Sequence, residues 1–133
     1  MIEADELRGL FAAVDSVFLP KAVAGFIARL VDATHPKSEL ANDSVKNYVR
    51  YGASPRAAIA IAEAARAHAL LAGKPNIGFD DVRAVAAAAM GHRVVLDYRA
   101  RLDGISGVGV VEAVLASVRE LEEPTPASLA DGR

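Results

Sequence analysis

The residue of this chain best suited to chemistry is an arginine at the mouth of a helix. Gly52-Ala53-Ser54-Pro55-Arg56-Ala57 leads into a long alanine-rich run. Ser54 is expected as the N-cap, its hydroxyl accepting from a backbone N–H one turn in. Pro55 suits the first helical position, where its fixed φ fits and its missing N–H lacks a helical partner anyway. Arg56 is the unexpected member, because the positive end of a helix dipole disfavours a cation unless the mouth faces a negative partner. A phosphate-bearing ligand removes that conflict, and arginine offers it a planar fork of donors with a permanent charge. The plainer reading is a capped helix whose arginine points into water.

Other chemistry finds less support. His35, His68 and His92 lie more than twenty residues apart, without cysteine, so no metal site is expected. His68, inside the alanine-rich run, reads as a packing residue, and His92-Arg93 as cations at a negative helix end. No serine sits in a nucleophile elbow, and Asp80-Asp81 and Glu122-Glu123 fall at a helix start and a tail. Gly104, Gly107 and Gly109 lack the Gly-Lys-Ser/Thr ending of a phosphate loop and read as a flexible connector. Arg50, Arg56 and Arg66 suggest a basic patch, but Glu63 within a turn of Arg66 favours a solvated charged face.

The elements that position these residues are helical. Leu7, Leu10, Phe11 and Val14 mark a first amphipathic helix from residue 4, ended by Asp15-Ser16. Pro20 opens a second, with a stripe of Val23, Phe26, Ile27, Leu30 and Val31, stopping near Thr34-His35-Pro36. A polar loop over 36–43 and a helical turn over 44–49 deliver the chain to Gly52. The run from Ser54 to about Leu71 is expected to be the central helix, patterned by Ile59, Ile61, Ala62, Ala65, Ala69 and Leu70, with Gly73 as its C-cap. Asp80 and Asp81 open a fourth helix that ends at Gly91, Val94-Val95-Leu96 continue as a turn or an extended piece, and a last helix covers about 108–120. The fold class is therefore all-α, a small bundle of about five helices over 1–121, with 122–133 a disordered tail.

Composition agrees. The chain has 133 residues, 53% of them hydrophobic but only 5% aromatic, which suits closely packed helices in one domain. With 15 Lys and Arg against 17 Asp and Glu, the net charge of −2 offers no footprint for nucleic acid. No apolar run approaches a membrane span, the acidic N-terminus does not resemble a secretory signal, and cysteine is absent. A cytoplasmic protein without membrane or nucleic-acid partners is expected.

The stretch from Val45 to Ala57 (Val-Lys-Asn-Tyr-Val-Arg-Tyr-Gly-Ala-Ser-Pro-Arg-Ala), followed by Ala64 to Lys74, closely resembles the C-terminal lid of MoxR-type AAA+ ATPases. Leu30 to Thr34, Phe79-Asp80-Asp81-Val82 and His92-Arg93 extend the likeness to roughly residues 5 to 120. Lys74 stands where arginine is usual, and Gly91 replaces a bulkier residue, so neither Lys74 nor His92 is given a site role. The resemblance implies a helical subdomain over a nucleotide held mainly by a preceding α/β core. Arg56 matches the sensor 2 arginine, which approaches the ATP γ-phosphate and moves the lid with nucleotide state. Gly52 and Pro55 shape its approach, and Ser54 and Pro55 stand with Arg56 as the nucleotide-binding residues that the resemblance implies. ATP with magnesium belongs to the full-length protein, and this chain, without Walker A or Walker B, is expected to be inactive alone. The implied partners are the core domain, neighbouring subunits of a ring, and clients carrying von Willebrand factor A domains. Two rival readings are a stand-alone helical interaction module with Arg56 at its rim, and a helical DNA binder that the charge disfavours.

Overall fold

The computed structural model describes residues 1–121; the tail expected over 122–133 lies outside them. Seven helices and one two-stranded sheet occur among the described residues: α1 (Ala4–Asp15), α2 (Lys21–Asp32), α3 (Asp43–Tyr48), β1 (Val49–Tyr51), α4 (Pro55–Leu71), α5 (Phe79–Met90), β2 (Val95–Leu96), α6 (Tyr98–Leu102) and α7 (Gly107–Ser117). The all-α expectation holds. Beyond the five long helices stand two short ones, α3 and α6, and the extended alternative for Val95-Leu96 is realised as a strand antiparallel to β1.

The bundle is built round α4. Ala57, Ile61, Ala65 and Ala69 repeat every four residues and are fully buried, so one alanine-lined stripe lets α1, α2 and α5 pack against this helix. Ile59, expected in that stripe, faces solvent at 60% exposure, because the 100° helical step carries it off the buried face. The stripe of α2 is as read: Val23, Phe26, Ile27, Leu30 and Val31 are buried. Phe26 meets Phe79 of α5 edge to face at 5.6 Å, a geometry worth about 1 kcal/mol beyond burial. Met90, Val110, Val111 and Val114 close the core between α5 and α7.

Two further expectations are corrected. The apolar positions of α1 do not join the core: it has no buried residue, and Leu7, Leu10 and Phe11 are exposed because no described element covers that face. The glycines near 107 serve close packing rather than flexibility. A Cβ on Gly107 would collide with the carbonyl oxygen of Gly91, and one on Gly91 would lie 2.9 Å from Val108 Cγ2, so the α5 end and α7 start touch backbone to backbone. Gly104 alone of the three adopts a positive φ, 69°.

Candidate functional site

The first turn of α4 carries the three residues singled out from the sequence. Pro55 takes the first helical position and Ser54 the N-cap, in an extended conformation (φ −75°, ψ 166°). The capping hydrogen bond is absent. The N–H of Ala57, which the hydroxyl was expected to engage, instead donates to the Ser54 backbone carbonyl at 2.9 Å, so the hydroxyl is left exposed and unused. Arg56 is exposed, and neither a carboxylate nor a carbonyl engages it among the described residues. The helix behind it runs 17 residues, long enough for its dipole to favour an anion at this end.

Beside the mouth lies a cleft of about 490 Å³ lined by His35, Pro36, Lys37, Arg50, Tyr51, Gly52 and Ser54. Two of these residues are cations and none is a carboxylate. The Arg50 guanidinium lies 5.4 Å from the centroid of the Tyr51 ring. Arg50 also acts at a distance on Asp97, whose carboxyl is held below its usual range first by the Arg99 backbone N–H. Ser54 is shared between cleft and helix mouth.

What holds the mouth in place was not legible in the sequence. Thr34, read there only as a helix end, is fully buried; its hydroxyl accepts from Ala53 N–H at 2.9 Å and donates to Val31 O at 2.6 Å. His35 Nε2 donates to Ala53 O at 2.8 Å, and its ring lies so close to Gly52 that a Cβ there would sit 2.7 Å from Cγ. The available signal was a hydroxyl and a ring donor together just after a helix, where unpaired carbonyls gather.

The opposite end of α4 has the residues that looked least chemical. Gly73, at φ 72°, follows the C-cap residue Ala72, with Gly73 N–H donating to Leu70 O and Lys74 N–H to Ala69 O, both at 2.9 Å. Asp81 is fully buried and accepts from His68 Nδ1 (2.7 Å), Lys74 Nζ (2.6 Å) and the Gly78 N–H (2.7 Å). Burial pushes its pKa up, but Lys74, the Gly78 N–H and His68 together outweigh burial and hold the carboxyl below its usual range. These contacts join α4 to α5. His68, read as a packing residue, is thus a hydrogen-bond partner of a buried carboxylate. Arg93 does what was expected of it, donating from Nε to Ala89 O near the end of α5. Arg66 departs from the solvated face read for it, its Nε being buried without a partner. No group of three His, Asp or Glu side chains able to hold a metal occurs among the described residues, and no helix there is long and apolar enough to cross a membrane.

A family model described as AAA lid domain matches residues 42–114, a span running from the cap of α3 into α7. The chaperone MoxR1 of Mycobacterium tuberculosis (strain H37Rv) is 39% identical over 101 residues, 76% of this chain and 27% of that protein. The uncharacterised protein YeaC of Bacillus subtilis is 32% identical over 59% of this chain and 29% of its own length. Among solved structures, the crystal structure of a protein assigned as an ATPase from Cytophaga hutchinsonii superposes with a TM-score of 0.82 at 28% identity, covering 90% of this chain and 36% of that one. The chain therefore spans between a quarter and two fifths of the length of the proteins it matches.

Proposed function

The chain belongs to the AAA lid domain family, in the form carried by MoxR-type AAA+ ATPases, and from that premise we propose that it presents Arg56 to the terminal phosphate of a nucleotide held on a P-loop core. The observation that carries this reading is the exposed, unengaged Arg56 on the first turn of a long helix, beside a cleft with Lys37 and Arg50 and no lining carboxylate. An arginine there is unfavourable to its own helix, and a phosphate reverses the sign of that interaction.

The donor set fits the phosphate part of the ligand and not its metal. Arg56, the unused Ser54 hydroxyl and the helix-mouth dipole all favour negative charge, whereas a magnesium ion needs carboxylate oxygens, which neither the mouth nor the cleft lining offers. ATP supplies the phosphoryl group to be transferred to water. This chain supplies a cation that distinguishes a triphosphate from a diphosphate, and the lid shifts against the core as that contact is made or lost. Pro55 fixes the direction in which the first turn leaves the strap 52–54. Alone, the chain hydrolyses nothing.

The same reading names its partners: the core, adjacent subunits of a ring, and clients of a chaperone-like ATPase in the cytoplasm, with von Willebrand factor A domains as the client class that the MoxR resemblance implies. The test joins this chain in cis to a MoxR-type core and substitutes Arg56→Ala. A kcat reduced by roughly a hundredfold is expected, the loss typical of one charge-stabilising donor, together with loss of the ATP-dependent change in a lid-to-core fluorescence distance. An undiminished rate with unchanged lid movement contradicts the proposal.

A further inference from the structure

Resting on that reading of Arg56, we infer that Thr34 and His35 are its positioning pair, and that they tie the α4 mouth to the C-terminal end of α2. The three residues leading into Pro55 form a strap, and Ala53 at its centre is fully buried. Both polar groups of the Ala53 backbone are taken by these two neighbouring side chains, the N–H by Thr34 Oγ1 at 2.9 Å and the carbonyl by His35 Nε2 at 2.8 Å. Neither of the two peptide units that meet at Ala53 can rotate without losing its hydrogen bond, the one to Thr34 buried and the one to His35 partly so.

The clamp is anchored in turn. Thr34 Oγ1 donates to Val31 O, and the N–H groups of Thr34 and His35 donate to Val31 O and Asp32 O, so both side chains project from the turn that directly follows α2 and is hydrogen-bonded to its last residues. Gly52 completes the arrangement. Its missing Cβ lets the imidazole lie close against the strap, where any larger residue would meet the ring at 2.7–2.9 Å. Arg56 stands three residues beyond Ala53, with Pro55 between them restricting the chain. An error of about 1 Å in the position of a reacting contact can cost a hundredfold in rate. The stiffness of this strap therefore bears on rate, although neither Thr34 nor His35 need touch the ligand's phosphates.

His35 has a second role in the same geometry, because it also lines the cleft beside Ser54. Whatever fills that cleft presses on the ring that holds Ala53. The strap thereby links occupancy of the cleft to the aim of Arg56.

The experiment compares Thr34→Val, Thr34→Ser, His35→Leu and His35→Gln with Arg56→Ala in the core-joined protein, using magnesium ATP. Thr34→Val keeps the shape but removes the acceptor for Ala53 N–H, and Thr34→Ser returns it. His35→Gln keeps a side-chain N–H that His35→Leu removes. The inference expects Thr34→Val and His35→Leu to lower kcat at least about tenfold with KM within about twofold, and Thr34→Ser and His35→Gln to recover most of it. Amide hydrogen exchange, read on the same proteins, should quicken at Ala53 and stay slow in α5. If Arg56→Ala lowers kcat while Thr34→Val and His35→Leu do not, the inference fails and the lid reading stands. If exchange quickens throughout α4 and α5 in step with the lost rate, the pair is merely structural and the inference fails again. If Arg56→Ala itself has no effect, the lid reading is what has failed.

Discussion

The two ends of α4 are built to opposite rules. At its C-terminal end every polar group near Asp81 is engaged: a buried carboxylate with three donors, a left-handed glycine, and two backbone hydrogen bonds that cap the helix. At its N-terminal end the cap hydroxyl is idle, the arginine is free among the described residues, and a cleft with two cations opens beside it. Buried polar groups left unpaired cost stability, so a saturated end reads as structure; exposed ones cost little, so an unsaturated end can be held in reserve for a ligand. The same helix is thus fastened at one end and offered at the other.

Substitution at the two ends should separate stability from activity. The largest effect on folding is expected for Asp81→Asn, which leaves Lys74 and His68 without their carboxylate and should lower unfolding free energy by about 3 kcal/mol in denaturant titration. Its pH dependence follows from the sign of the shift. The folded pKa of Asp81 lies below the ordinary aspartate value of 3.8, so the clamp's contribution is present above about pH 4 and is lost as the pH falls through the folded pKa. The gap between wild type and Asp81→Asn should therefore be full at pH 7 and shrink below pH 4; a gap that stays constant down to pH 2 speaks against an ionised clamp. Lys74, raised by Asp81 and Asp80, sets the opposite limb, its contribution being present below 10.5 and lost at higher pH. Arg56→Ala, by contrast, should leave the unfolding curve unchanged within about 0.5 kcal/mol while cutting the rate of the core-joined protein.

The smallest expected effect is the sharpest on the cap. Ser106 accepts from Gly109 N–H at 3.0 Å at the start of α7, so Ser106→Ala should cost about 1 kcal/mol. Ser54→Ala should cost less than about 0.5 kcal/mol, since no capping bond is lost. Equal losses at the two serines, measured by thermal unfolding, would show that Ser54 caps α4 after all.

The same contrast explains what the sequence disclosed. The helices of the bundle were legible because Val23, Phe26, Ile27, Leu30 and Val31, or Ile61, Ala65 and Ala69, repeat at a spacing that only a helix brings to one side. Proline at the start of α4 and glycine after its end carry their own backbone preferences, so those boundaries were legible as well. Strand β1 was not: three residues between a short helix and a loop carry too little pattern, and their partner lies more than forty residues away in β2. The α1 stripe misled because periodicity tells which residues share a face and not whether anything covers it. Arg56 stood out locally, as a charge against its own helix dipole. Thr34, His35, Asp81 and Lys74 stayed hidden because their roles come from contacts between residues 7 to 19 positions apart, which no local preference encodes. The family resemblance added the expected role of Arg56 and none of the contacts that hold it.

The most direct measurement is a crystal structure of the chain joined to a MoxR-type core, with magnesium and a non-hydrolysable ATP analogue bound. The account predicts the Arg56 guanidinium within hydrogen-bonding distance of the terminal phosphate, with the Thr34 and His35 hydrogen bonds to Ala53 intact. A nucleotide bound with Arg56 still in solvent, or with the α4 mouth turned away from it, would contradict the account.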